Sequence, residues 1–155
     1  MEQFEKHSNE TIMIPTEAGQ IKTNEVIIIN GQPFRVSTIS KYKPGKHGCA
    51  KCTFMACNIF NGKKTDLVTS SSKSVDVPVI VNKNYILNDI DEDGYLKLID
   101  DNSVLREDLK LPLYPETMAH EIKTLFDDEC ELTLTVTIAC GNEQITAYKK
   151  NTSTQ

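Results

Sequence analysis

The sequence predicts a mainly β protein built as two small units, with a single α-helix late in the chain. Three observations lead there. Two Asn-Gly turns sit between strand-forming runs, residues 131–139 alternate strictly, and the sign of the charge changes near Pro78. The 155 residues suffice for one ordinary domain or two small ones, and 39% apolar with 25% charged residues is a globular composition. Only 6% are aromatic and Trp is absent, so the core rests on Ile, Val and Leu.

Taken in order, the opening MEQFEKHSNE has no hydrophobic period, and residues 1–14 read as a flexible tail. VIIINGQPFRV is two strands joined through Asn30-Gly31, a strong hairpin signal because both turn positions need positive φ. RVSTIS and CTFMACNIF bracket KPGKHGCAK, residues 43–51, which belongs at a hairpin tip where Pro44 withholds no ladder hydrogen bond. Asn61-Gly62 then predicts a second hairpin of the same kind, leading into TDLVTSS. The segment VDVPVIVNKN is the expected junction, giving units at 15–83 and 84–155.

In the second unit, NYILNDI and YLKLID are short strands around an acidic turn. PETMAHEIKTLFDD is the helix: Met118, Ile122, Leu125 and Phe126 fall on one face, with Pro115 near the first turn. In ELTLTVTIA, Leu132, Leu134, Val136 and Ile138 alternate with Thr133, Thr135 and Thr137, as in a half-buried antiparallel strand. Small barrels close such short strands without exposed edges.

The net charge of −5 conceals a division. Residues 1–83 carry 11 Lys/Arg against 7 Asp/Glu, and residues 84–155 carry 6 against 15. A polyanion-facing surface therefore belongs to the first half. The charged start lacks the apolar stretch of a signal peptide, and the longest aliphatic run, Val26-Ile27-Ile28-Ile29, is too short for a bilayer. Five cysteines without a secretory signal predict reduced thiols. The expectation is a cytoplasmic protein with no membrane partner.

Several chemistries are suggested and then weakened by context. Asp89, Asp91, Asp93 and Gly94 match a calcium-binding EF-hand loop, but position 12 is Asp100 and both flanks read as strand rather than helix. Cys49 and Cys52 form a C-x2-C beside His47, yet no second close pair completes a structural zinc site, and alternation sends Cys52 and Cys57 to opposite faces. Gly45-Lys46 fails as a phosphate-binding P-loop, since Ser40 and His47 replace the required Gly and Ser/Thr. His7, His47 and His120 join no triad, and no enzyme is predicted. What is left is KPGKHGCAK itself, a cationic loop without an aliphatic anchor. Glycines let its backbone approach a ligand closely, and its charge suits phosphate neutralisation.

GKHG followed by AK, IFNGKK at 59–64, VDVP at 75–78, DGYL at 93–96 and REDLKLP at 106–112 together resemble the eukaryotic translation initiation factor 5A family, whose bacterial relative is elongation factor P. The motifs occur in family order, and the resemblance covers residues 15–150. It implies an SH3-like β-barrel followed by an OB-fold barrel with one inserted helix. It also implies that Lys46 is converted to hypusine: deoxyhypusine synthase uses NAD and spermidine to attach an aminobutyl group, and deoxyhypusine hydroxylase adds the hydroxyl. NAD and spermidine belong to that chemistry, so the protein itself holds no cofactor.

The partners so implied are the ribosome, with its rRNA and proteins, and peptidyl-tRNA. Beside the tRNA, hypusine would promote peptide-bond formation at stalled sequences such as consecutive prolines, and would support elongation and termination. Lys43, His47 and Lys51 are the candidates for supporting RNA contacts, and Gly45 and Gly48 for loop shape. The alternative is an unmodified RNA-binding or adaptor protein of the same fold. Two positions depart from the family pattern, Pro44 before the first glycine and Cys49 after the second. The acidic second unit is expected to dock through a few specific contacts, and the sequence is compatible with a monomer or a homodimer.

Overall fold

A computed structural model describes residues 12–152 apart from Pro44, Lys46, His47 and Cys49. The chain divides into two compact units, one running to Ile80 with Ala139–Gly141, the other comprising Val81–Ile138 and the chain from Asn142. The division falls at Ile80/Val81 rather than at 83/84, because Val81, Asn82 and Lys83 already lie in a ladder opposite Ile138, Thr137 and Val136.

The first unit contains β1 (Met13–Glu17), a 3-10 turn (Ala18–Gln20), β2 (Val26–Ile29), β3 (Gln32–Tyr42), β4 (Lys51–Asn58), β5 (Lys64–Ser70) and β6 (Ser74–Pro78). An antiparallel sheet runs β2-β3-β4-β5, while β1 pairs with β6. Met13 and Ile14, expected to lie in a flexible tail over 1–14, are strand residues of β1. Met13 and Ile14 pair with Pro78 and Val77, and the Ile12 carbonyl accepts the Val79 N–H, which satisfies backbone groups of the VDVP segment.

Alternation places Cys52, Phe54 and Ala56 of β4 inside, with Phe34 and Val36 of β3 and Ile27 and Ile29 of β2 around them. A bulge on β3 leaves Ser37 unpaired between the Val36–Ala56 and Thr38–Met55 rungs. The paired β4 carries no irregularity, so Cys52 is buried and Cys57 is half-buried on the opposite face.

The first Asn-Gly hairpin forms as predicted, with φ of 53° at Asn30 and 79° at Gly31. The second departs from it. Strand β4 ends at Asn58 and β5 starts at Lys64, so the connection is longer than a two-residue turn. The cause is Asn58, which is 2% exposed. Its Oδ1 accepts the N–H groups of Phe60 (2.8 Å) and Asn61 (3.1 Å), and its Nδ2 donates to Gln32 Oε1 at 2.7 Å. A side chain that caps its own turn draws the backbone out of the ladder two residues early.

The second unit contains β7 (Val81–Ile90), β8 (Leu96–Ile99), β9 (Leu105–Arg106), α1 (Met118–Asp127), β10 (Leu132–Ala139) and β11 (Asn142–Lys150). Its sheet is ordered β11-β10-β7-β8-β9. Met118 and Ile122 of α1 bury against Leu96, Leu98, Leu132, Leu134 and Ile145, with Leu125 and Phe126 at the margin. Pro115 lies just ahead of the helix, its carbonyl accepting the Met118 N–H.

Strand β10 buries Leu132, Leu134 and Val136 as alternation predicts, but Thr137 is buried as well. Its hydroxyl donates to Asn82 Oδ1 (2.7 Å) and accepts from the Thr146 hydroxyl (2.6 Å), so the polar face is satisfied within the sheet. The DIDEDG segment is a turn between two strands. Asp91 Oδ1 accepts the N–H groups of Asp93 and Tyr95 at 2.8 and 2.9 Å. That is turn capping, without the flanking helices of an EF-hand. No helix among the described residues is long and apolar enough to cross a membrane.

Candidate functional site

The cationic segment KPGKHGCAK connects β3 to β4. Their last rung pairs Tyr42 with Lys51, and Lys51 is also opposite Ser70 of β5. Lys43 is exposed just beyond that rung, and Lys51 is half-buried at the start of β4. Gly45 is exposed with φ of 76°, in open space and in the left-handed region that favours glycine. Gly48 is half-buried. Lys46 and His47 lie outside the described residues, as do Pro44 and Cys49.

Three residues that carry no sequence signal of their own meet at the base of this loop. Lys41 Nζ donates to the Gly19 carbonyl at 2.9 Å. The Gly19 N–H donates to the Ser71 carbonyl at 2.8 Å, and the Ser71 N–H to the Ala50 carbonyl at 2.9 Å. These partners come from the 3-10 turn and the β5–β6 turn, both distant in sequence from the loop. Tyr42, Lys51 and Ser70 share the outer sheet face through their register, continuing into Thr53 and Val68 and then Met55. Tyr42, Val68 and Met55 are exposed, so apolar and cationic groups border the loop together.

In the second unit the REDLKLP motif centres on Arg106. Its Nε and Nη2 donate to Asp108 at 2.6 and 3.1 Å, Nη2 also reaches Glu143 at 2.6 Å, and Nη1 donates to the Tyr85 hydroxyl at 3.2 Å. One guanidinium thereby joins the edge strand β9 to β7 and β11. Hydrogen bonding from Arg106 holds the Asp108 carboxyl below the usual carboxylate range, and the Asp108 hydrogen bond raises Arg106 above its ordinary value. Lys110 Nζ lies 4.9 Å from the centroid of the Tyr95 ring. Two of this unit's few cations are thus engaged internally, which disfavours general polyanion binding there.

The Asp108 linkage has a definite sign. A depressed folded-state pKa contributes stability above the unfolded carboxylate value, and that contribution disappears as pH falls through the folded one. Arg106→Met is therefore expected to lower the urea midpoint more at about pH 7 than at about pH 2, well below the ordinary Asp pKa of about 3.9. Asp108 is largely exposed, so its share is at most about 1 kcal/mol. Urea titrations at the two pH values check this, and an equal shift at both would remove Asp108 from the account.

Known proteins resemble this chain along most of its length. Residues 11–73 match the family model described as "Translation initiation factor 5A-like, N-terminal", and residues 79–149 match "Eukaryotic elongation factor 5A hypusine, DNA-binding OB fold". Eukaryotic translation initiation factor 5A-1 of Arabidopsis thaliana is 44% identical over 135 residues, covering 87% of this chain and 85% of that protein. Eukaryotic translation initiation factor 5A of Zea mays is 42% identical over 135 residues, covering 87% and 84%. Among solved structures, an eif-5a family protein from Naegleria fowleri superposes with TM-score 0.79 at 33% identity, over 88% of this chain and 98% of that one. Eukaryotic translation initiation factor 5A from Methanococcus jannaschii gives TM-score 0.69 at 25% identity, over 88% and 95%. The fold is accordingly mainly β, an SH3-like barrel followed by an OB fold.

Proposed function

Because this chain belongs to the translation initiation factor 5A family, which consists of translation factors and not enzymes, we propose that it acts at the ribosome through hypusine on Lys46. The observation that supports this most directly is that the chain segment containing GKHG joins β3 to β4 past the Tyr42–Lys51 rung, with Lys43 and Gly45 exposed. An unmodified lysine carries one ammonium on a four-carbon stem. The added aminobutyl group makes a longer, thin, dicationic probe that suits the acceptor end of peptidyl-tRNA.

In this reading the ribosome performs the chemistry and the probe orients the reacting groups, most importantly where consecutive prolines make a poor nascent chain. Lys43, His47 and Lys51 contribute phosphate contacts, and Gly45 and Gly48 let the backbone come close. The acidic OB fold docks through a few specific contacts. Deoxyhypusine synthase and hydroxylase are the modifying partners, NAD and spermidine being consumed by the former, and the setting is the cytoplasm. Mass spectrometry of the Lys46 peptide from the native source tests the proposal. The expected product carries the hydroxylated aminobutyl group, whereas a wholly unmodified pool favours an RNA-binding or adaptor role for the same fold.

A further inference from the structure

We infer that Lys41, Gly19 and Ser71 form a brace across the base of the β3–β4 loop, and that Lys41 and Gly19 are positioning residues for the modification of Lys46. The inference rests on reading Lys46 as the modified group. Lys41 stands opposite Cys52, whose side chain is wholly buried, so register puts Lys41 on the core-facing side of β3. It is one rung from the loop, where the barrel core ends. There its long stem can lie over apolar surface while the ammonium reaches a polar group. The group it reaches is the Gly19 carbonyl, 2.9 Å away.

From Gly19 the line continues without a break. The Gly19 N–H donates to Ser71 O at 2.8 Å and the Ser71 N–H donates to Ala50 O at 2.9 Å. Ala50 directly precedes β4, so hydrogen bonds run from the strand that enters the loop to the strand that leaves it. Ala18 adds a parallel tie, its N–H donating to Lys73 O at 2.8 Å. Glycine is favoured at 19 for a steric reason. Its φ is outside the left-handed region, but a Cβ there would meet Ser71 O at 3.2 Å and Ser71 Cβ at 3.4 Å. The first of these is a fixed backbone atom, and it is the acceptor in the brace itself.

The purpose follows from the composition of the loop. Glycine loses more backbone freedom than any other residue when it is fixed, so gripping a segment that contains Gly45 and Gly48 costs an enzyme considerable entropy. Ends held in fixed geometry reduce that loss before binding. The brace therefore acts on capture of the loop by the modifying enzyme, not on the transfer step once the loop is bound.

Full-length Lys41→Met, Lys41→Arg and Gly19→Ala provide the test. The first keeps the stem and removes the donor, the second restores a donor, and the third strains the Gly19–Ser71 contact. Amide hydrogen exchange at Gly19 and Ser71 is measured on each. So are kcat and KM for aminobutyl transfer from spermidine by deoxyhypusine synthase. In Lys41→Met and Gly19→Ala, exchange at both amides is expected to quicken and KM to rise, each about threefold or more, with kcat unchanged and Lys41→Arg close to wild type. Unchanged exchange in both Lys41→Met and Gly19→Ala overturns the brace, and faster exchange with unchanged KM overturns its positioning role. Should Gly19→Ala fail to fold, the exposed Lys41 decides the question. Should the wild type accept no aminobutyl group, the reading of Lys46 fails, and the brace is judged on exchange alone.

Discussion

Lys46→Arg is expected to fold like the parent and to lose all stimulation of proline-rich peptide synthesis. Arginine keeps a positive charge and a long flexible stem, so a role resting on charge alone would survive the change. What it lacks is a primary amine that can take up an aminobutyl group. The guanidinium stays protonated and is a poor nucleophile near neutral pH. The effect is therefore confined to the chemistry proposed for this position. A translation assay comparing a reporter rich in consecutive prolines with one lacking them provides the measurement. The variant should fall to the level without added factor on the first and differ little on the second. Full activity on the proline-rich reporter would show that modification is dispensable. The expected loss is large because positioning of reacting groups is steep in distance, a misplacement of about 1 Å costing about a hundredfold in rate.

Phe54→Ala is expected to destabilise the first unit by about 3–5 kcal/mol, the usual range for truncating a buried phenylalanine. Phe54 is fully buried on β4, opposite Ile39 of β3 and Leu67 of β5, in a core it shares with Phe34 and aliphatic side chains. Phe34 is the one other aromatic in this buried cluster, and it is already packed there, so the space left by the ring stays largely unfilled. The residues of the second core, around Leu132, Leu134 and Ile145, are a separate set. Amide exchange resolves the two. Amides of β4 should exchange at least a hundredfold faster, at about 1.4 kcal/mol for each factor of ten, while those of β10 hold their rates. Equal acceleration in β10 would show that both cores open together. Because β4 also carries Lys51 and follows Ala50, the same substitution loosens one end of the loop, and slower modification of Lys46 should accompany it.

Two polar sites, one in each unit, show how far hydrogen bonding and electrostatics can be read in advance. REDLKLP is conspicuous as a string of mixed charge, and Arg106 with Asp108 is a close pair within it. Nothing in the string points to Tyr85 or Glu143, which complete the guanidinium's coordination from other strands. Asn58 is similar. Its place ahead of a Gly-containing turn is ordinary, while its burial and its bond to Gln32 depend on which strands lie side by side. Its capping of Phe60 and Asn61 is nonetheless what converts the second Asn-Gly turn into a longer connection.

Local stereochemistry is written in neighbouring residues, and that part of the protein is legible from the chain alone. Asn30-Gly31 requires positive φ, Leu132, Leu134 and Val136 require a strand with one buried face, and Met118, Ile122, Leu125 and Phe126 require a helix on a core. The order of the five motifs likewise identifies the family and singles out Lys46 between its glycines. Periodicity says which face of an element turns inward, but it is silent about what stands opposite. The loop base depends on that missing information. Lys41 meets Gly19 across 22 residues of chain, and Gly19 meets Ser71 across a longer stretch still. Both contacts exist only after strand register has brought the 3-10 turn and the β5–β6 turn to the same end of one barrel. KPGKHGCAK marks where the proposed modification falls. The folded barrel decides how firmly the ends of that loop are held.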